Sequence, residues 1–382
     1  VSGRLLRLVC AAAVAAGTAL APLPAAAGPA PAPSVAELLT DLQRRYRDAE
    51  KATEEYNGTR ELLRRRQAEV RRLDAELARS RRSLSDSRGA AGRLAREQYR
   101  DSGTGLSPYL GLLLAPDARR ALDQGHVIGR LAAQRATAVG RVAGAERKAD
   151  ELARRAHRAL AAEAALAERQ KEQRDDVRRR LGAVEELLAS LSAGQIAALA
   201  ALEGAGEQAS QERFLASGAL GTGGAPSADG ARAVRFAVDQ LGKPYEWGAE
   251  GPAAYDCSGL TARAWQRAGT PIPRTSQEQW ARLARVPLDE LRPGDLVVYF
   301  PEATHVALYL GDGLVVQAPR PGARVKVSPI AANPVLGAVR PDPGARPLAA
   351  YAPPELPAGA ADGSDEGYGS AQAPAASATS LR

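Results

Sequence analysis

Two residues in the last third of the chain have the types and the neighbourhood for nucleophilic catalysis. Cys257 is the only cysteine outside the extreme N-terminus, and it stands in Asp256-Cys257-Ser258-Gly259-Leu260, where a turn-rich stretch gives way to the helix-like Leu260-Thr261-Ala262-Arg263-Ala264-Trp265. At a helix start, unpaired backbone N–H groups and the positive end of the helix dipole favour a thiolate. A cysteine in a core is instead a small inert hydrophobe. A nucleophilic thiol also needs a base to take its proton and return it to the leaving group. Of the chain's three histidines, His126 and His157 lie in a helical, solvated-looking region, which leaves His305. Strand alternation puts His305, Ala307 and Tyr309 on one face and Val306, Leu308 and Leu310 on the other.

The third member of such a site accepts the other imidazole N–H and so orients the ring. Hairpin geometry nominates Gln317. If Gly311-Asp312-Gly313 is a three-residue loop, Leu310 faces Leu314, Ala307 faces Gln317, and Gln317 shares the histidine face. A two-residue turn at Asp312-Gly313 pairs Leu308 with Gln317 and points the amide away. Metal and phosphate chemistry find little support. The segment has no CxxC, no HxxH and no second histidine for a closed zinc site, and neither GxGxxG nor GxxxxGK[ST] follows a strand, so no cofactor is expected.

The elements that must position these side chains alternate helix and strand signals over 230–340. Helices are expected over 231–241 and 256–268, then strands over 295–300, 304–310, 314–318 and 324–328, punctuated by Arg292-Pro293-Gly294 and Gly311-Asp312-Gly313. Helices followed by an antiparallel sheet make an α+β domain. Upstream, apolar residues recur every seventh position (Val35, Leu42, Ala49, Tyr56, Leu63, Val70, Leu77, Leu84, Ala91), with a mixed second column and a weaker series from Leu131 to Leu166. This predicts a long α-helical coiled-coil hairpin over 34–214, an intermolecular coil being the alternative. Its tip loop, 101–117, closes the first helix by turn chemistry and opens the second at Asp117 as N-cap. That loop is apolar for an exposed one, and Leu110, Leu112, Leu113 and Leu114 either dock a partner or pack on the hairpin. A flexible linker is expected over 215–229 and a disordered tail, rich in Pro, Ala, Gly and Ser, over 341–382.

The N-terminus reads as an export signal over 1–27: Arg4 and Arg7, an apolar run to Leu23, and Ala25-Ala26-Ala27 as a cleavage site near Ala27. A secreted chain would then keep one cysteine and could form no internal disulfide. The net charge of +7 suits polyanionic surroundings.

Five motifs in order carry a resemblance: Lys243-Pro244-Tyr245-Glu246-Trp247-Gly248, Asp256-Cys257-Ser258-Gly259-Leu260, Pro273-Arg274-Thr275-Ser276 with Gln279, Leu291-Arg292-Pro293-Gly294-Asp295-Leu296-Val297, and His305-Val306-Ala307-Leu308-Tyr309-Leu310-Gly311. Together they resemble the NlpC-type peptidoglycan endopeptidases. The resemblance implies a papain-like fold, a peptidoglycan substrate rather than nucleic acid, and hydrolysis of a stem-peptide bond, commonly that between D-isoglutamate and diaminopimelate. It makes Cys257 the nucleophile, His305 the base and Tyr245 a substrate or oxyanion contact, puts Asp256 and Ser258 where substrate is recognised, and gives Arg274 and Ser276 motif positions of no derived role. Gln317 stands where the family often has histidine or an acidic residue, and Ala249 replaces a frequent glycine. The coil with its leucine-rich tip resembles hairpins of cell-wall hydrolases that answer to the division-associated FtsEX complex, which implies regulation or placement through the coil. Two other readings share these residues: a non-catalytic wall-binding scaffold or activator, and an amidase using the same thiol.

Overall fold

A computed structural model of the chain describes residues 33–102, 108–221 and 223–362. The export signal therefore lies outside the described residues, as do 103–107 of the tip and the last part of the tail. Two long helices, α1 (Val35–Ser102) and α3 (Ala118–Ala189), are joined through the short α2 (Pro108–Leu113). Their contacts run in opposite directions: Leu73 and Leu77 meet Leu152, Ala156 and Ala159, whereas Leu38, Leu42 and Tyr46 meet Val184 and the next helix. The pair is thus an antiparallel hairpin. Asp117 caps α3, accepting from the backbone N–H of Arg120 at 2.8 Å. None of the described residues between 81 and 148 is buried, because two alanine-rich helices alone have too little apolar surface to enclose.

After Ser190-Leu191-Ser192 the chain turns by 112° into α4 (Ala193–Ala216), which starts with a reciprocal capping box between Ser192 and Gln195. No single described helix is long and apolar enough to cross a membrane. The α+β unit follows: α5 (Ala228–Val238), α6 (Cys257–Ala268) and α7 (Ser276–Arg282), then β1 (Ala284–Val286), β2 (Leu296–Tyr299), β3 (His305–Gly311), β4 (Leu314–Gln317), β5 (Lys326–Pro329) and β6 (Val335–Arg340). The strands form one antiparallel sheet in the order β1-β6-β2-β3-β4-β5. The α+β class is as the sequence indicates; β1, β6 and α7 are additions.

Helices α5 and α6 cover one face of the sheet, burying Leu260, Ala264 and Trp265 against Leu296, Val298, Val306 and Leu308. Trp265 is 1% exposed, and its indole N–H donates to the carbonyl of Gly294 at 3.1 Å. Trp265→Ala should therefore cost about 3–5 kcal/mol, read as a lower urea midpoint.

Two segments expected to be loose are packed. Phe214 in the last turn of α4 and Leu220 beyond it join the core on the other sheet face, with Leu291, Tyr309 and Val315, so 215–229 does not act as a free tether where it is described. The first part of the expected tail, to residue 362, lies along the domain: Leu348 N–H donates to Pro226 O at 2.8 Å, Val327 N–H to Ala360 O at 2.8 Å, and Arg292 pairs with Asp342 at 2.7 Å. Backbone bonds to Pro226 and to the free edge of β5, together with the Arg292 ion pair, hold it there, which composition does not reveal.

Candidate active site

Cys257 is the first residue of α6, and Asp256 is its N-cap, accepting from Gly259 N–H at 2.7 Å. The other Asp256 oxygen accepts from Gly248 N–H at 2.8 Å and from the Arg274 guanidinium at 2.7 Å. Asp256 thus fixes the loop before Cys257. Its carboxylate is buried and engaged by all three of these donors. Gly259 lets the Ala249 carbonyl approach to where a Cβ would sit at 2.2 Å, so the motif glycine keeps the loop close to the helix start.

His305 opens β3, and its Nε2 lies 2.6 Å from Gln317 Oε1. The amide oxygen accepts, so Nε2 carries hydrogen and Nδ1 is the atom left for proton transfer. The hairpin reaches this arrangement by a route that neither simple turn describes. Asp312 and Gly313 both have positive φ (50° and 71°), a two-residue turn that pairs Gly311 with Leu314. A bulge between Tyr309 and Gly311 then shifts the ladder by one, so Tyr309 faces Val315 and Leu308 faces Val316. Continuing the ladder sets Ala307 opposite Gln317, the histidine-side register; the expected Leu310 to Leu314 pairing does not form.

The donor atoms of Cys257, His305 and Glu50 all lie within 4.8 Å of one another. Glu50 belongs to α1, and sequence reasoning about the domain alone missed it. Its Oε1 is 2.7 Å from His305 Nδ1, with both side chains buried. One turn on, Glu54 accepts from Ser258 Oγ at 2.8 Å, Ser276 N–H at 2.7 Å and Ser276 Oγ at 3.0 Å. Asn57 donates to Asp256 at 3.0 Å, and Arg60 donates to the carbonyl of Gly248 at 2.9 Å and pairs with Glu250. Tyr56 meets Trp247 edge-on at 5.0 Å. Positions 46, 50, 53, 54, 57 and 60 share one helical face, and Glu50, Thr53, Glu54 and Asn57 on it are buried. A legible hint existed: this polar face continues the apolar stripe of Leu38, Leu42 and Tyr46.

Ser258 and Ser276 share the Glu54 carboxylate, and Arg274 backs Ser258. Arg274 donates to Ser258 Oγ at 2.8 Å while Ser258 donates onward to Glu54. Ser258 and Ser276 thus converge on the Glu54 carboxylate, with Arg274 behind Ser258, and the amide of Gln279 braces the cluster through the carbonyls of Ser258 and Pro273. Tyr245 is buried, and burial, with the neighbouring Cys257 and Asp256, holds its phenol well above the ordinary range, as a hydrogen-bond donor. Leu110, Leu113 and Leu114 at the hairpin tip are exposed, whereas Leu112 is half-buried. His126 and His157 are exposed on α3.

The electrostatics differ from the low-pKa thiol that a helix start suggests. Burial pushes the Cys257 thiol well up, and the carboxylates of Glu54, Asp256 and Glu50 push it further. Burial pulls His305 down, but the charge of Glu50 and the bonds to Glu50 and Gln317 outweigh it and raise the imidazole overall. Burial, then the repulsion of Asp256, raises Glu54. With α1 seated, the protonated thiol and the protonated imidazole are both favoured, and Glu50 already occupies the Nδ1 side of the ring. Neither half of the pair is ready to react.

Residues 242–337 match the NlpC/P60 family. A Corynebacterium glutamicum protein named "Probable endopeptidase" is 46% identical over 95 residues, which cover 25% of this chain and 46% of that protein. A Mycobacterium tuberculosis protein of the same name is 40% identical over 97 residues, 25% of each chain. The chain thus spans less than half the length of these relatives. Among solved structures, the NlpC/p60 domain of the peptidoglycan hydrolase SagA is 32% identical, with TM-score 0.28, covering 29% of this chain and 97% of that one. RipD of M. tuberculosis, described as a non-catalytic NlpC/p60 domain protein adapted to peptidoglycan binding, is 32% identical with TM-score 0.27, covering 29% and 96%.

Proposed function

Because residues 242–337 form a papain-like NlpC/P60 domain behind a long helical region, we propose that this chain is an exported peptidoglycan endopeptidase that its own first helix holds closed. The observation that carries the reading is the Glu50 carboxylate seated 2.7 Å from His305 Nδ1, on the atom that a catalytic thiol would have to use.

In the open enzyme, His305 Nδ1 takes the Cys257 proton and the thiolate attacks a stem-peptide carbonyl. Tyr245 stands near the thiol as a donor for the oxyanion. Collapse expels the amine, which His305 protonates, and leaves a thioester. Water, deprotonated by the same Nδ1, then releases the acid and restores the thiol. The resemblance assigns the bond between D-isoglutamate and diaminopimelate. The cradle of Ser258 and Ser276 that now holds Glu54 suits a substrate carboxylate beside that bond. Gln317 is neutral and orients the ring without stabilising its cation as strongly as a carboxylate would. Gln317→Ala should therefore lower kcat by up to about 10²-fold with KM little changed, measured on a soluble stem peptide in a coil-released variant.

Intact Cys257 and His305 favour cleavage over a purely wall-binding role, and mass spectrometry of the fragments separates an endopeptidase from an amidase. The exposed leucines of the tip support recruitment by a membrane complex of the FtsEX kind, which would also be positioned to pull α1 away. Unaltered septal placement after deletion of 106–114 would rule this docking out.

Closure also carries a pH dependence. Cys257 and His305 both have raised pKa values with α1 seated, Glu50 contributing to each, so the closed form favours protons that opening releases. The stabilisation is complete below the ordinary values and is lost as pH rises through the raised ones. Raising the pH above the ordinary imidazole value of 6.5 should narrow the activity gap between the full chain and a coil-released variant, measured as the ratio of their rates at each pH.

A further inference from the structure

The domain alone lacks the ligands for a closed metal site, but α1 supplies one. We propose that Glu50, Cys257 and His305 form a site for Zn²⁺ or a similar transition metal that exists only while α1 lies in the cleft, so that the metal fastens the coil over the catalytic pair. The inference rests on the closed arrangement proposed above.

Three observations carry it. The carboxylate oxygen, thiol sulfur and imidazole nitrogen lie within 4.8 Å of one another, and all three side chains are buried. A thiolate, an imidazole and a carboxylate are the donors zinc takes, while the sulfur and nitrogen disfavour magnesium and calcium. Three protein donors leave a fourth position for water. Second, Gln317 Oε1 accepts from His305 Nε2 at 2.6 Å, which turns Nδ1 toward the other two donors in the manner of the outer partners that orient metal-bound histidines. Third, Glu54 and Asp256 add negative charge around the thiol, a field that disfavours its ionisation and favours a cation. Arg274 opposes them, as does Arg320 near the imidazole.

Tetrahedral zinc bonds of ~2.0–2.3 Å set donor atoms roughly 3–4 Å apart. The 2.7 Å contact between His305 and Glu50 has to widen by less than a bond length, which the flexible Glu50 side chain allows. The proton now shared by Nδ1 and Glu50 and the thiol proton leave as the metal enters. Two protons exchange for one divalent ion, and net charge is unchanged. Glu50 and His305 are 255 positions apart, so no spacing rule could pair them.

The test titrates the metal-free full chain with Co²⁺, then displaces it with Zn²⁺. One equivalent should bind with the thiolate-to-cobalt charge-transfer absorption of a cysteine ligand and tetrahedral d–d bands. Cys257→Ser should remove the charge-transfer band, and Glu50→Gln should weaken affinity by about 10²-fold. Zn²⁺ should also slow hydrogen exchange across 46–60 in the wild-type chain but not in Glu50→Gln. Unchanged affinity in Glu50→Gln, or binding without the thiolate band, would overturn the proposal. Exchange in the metal-free chain tells the two readings apart: protection of 46–60 that metal does not increase defeats the clamp alone, whereas no protection defeats the closed arrangement itself.

Discussion

Cys257→Ala, placed in a chain whose coil has been released, is expected to lower the release of stem-peptide fragments from purified cell wall by about 10⁴-fold or more. The size follows from the absence of a second nucleophile: Cys257 is the one free cysteine among the described residues, and the adjacent Ser258 is bound into the Arg274 and Asp256 network. Ser258 cannot take over, because its hydroxyl is bound to Arg274 and not to the imidazole. The variant should keep its fold, since removing one sulfur at a helix start leaves the Asp256 cap and the packing of Leu260 and Trp265 in place. Substantial residual release would move the chain to another nucleophile. Undiminished wall binding with no release, in the coil-released parent as well, would make it a binding module.

The second large effect is in the opposite direction. Replacing Glu50 and Glu54 together by alanine should raise fragment release by the full chain by about 10²-fold. Charge-assisted bonds are each worth about 1.5–3 kcal/mol, and about 3 kcal/mol in total shifts the opening equilibrium by roughly 10²-fold. Part of this is offset, because burying Glu54 is itself costly, as its raised pKa indicates. What makes the sum favour closure is the set of partners that the variant would strand: His305, Ser258 and the backbone N–H of Ser276. A wedge gives an independent check. A Cβ on Gly58 would lie 4.0 Å from Thr275 Cγ2, so Gly58→Trp forces α1 off the domain while leaving every carboxylate in place. Activation by both substitutions would tie closure to the seating of α1 and not to a changed field at the thiol.

Much of the site was legible because its chemistry is written locally. Cys257 stands at a recognisable turn-to-helix junction, His305 begins an alternating strand, and the two turn options for Asp312-Gly313 framed the placement of Gln317. The outcome turned on a bulge at Leu310, an extra residue that hydrophobic alternation does not reveal, since Tyr309, Leu310 and Val315 are apolar whichever register holds. Short edge elements were missed for a related reason: Ala284-Arg285-Val286 has too few residues to show a period, and β6 lies next to a proline-rich tail. The larger omission was Glu50, Glu54 and Asn57. Charged and amide side chains on a long helix read as a solvated face, and only the arrival of a second unit buries them. Their partners lie some two hundred positions away, at Asp256, Ser276 and His305. The same contacts reverse the expected thiol acidity, because the helix-start effect on Cys257 is outweighed by burial under three carboxylates.

The most direct test of the central claim is the alkylation rate of Cys257 by iodoacetamide at neutral pH, with the label located by peptide mapping. A catalytic pair sealed by α1 predicts a full chain that reacts far more slowly than a free thiol, and a Glu50→Ala/Glu54→Ala chain that reacts faster than one. Labelling of the full chain at the rate of a free thiol or above, unchanged by the double substitution, would contradict it.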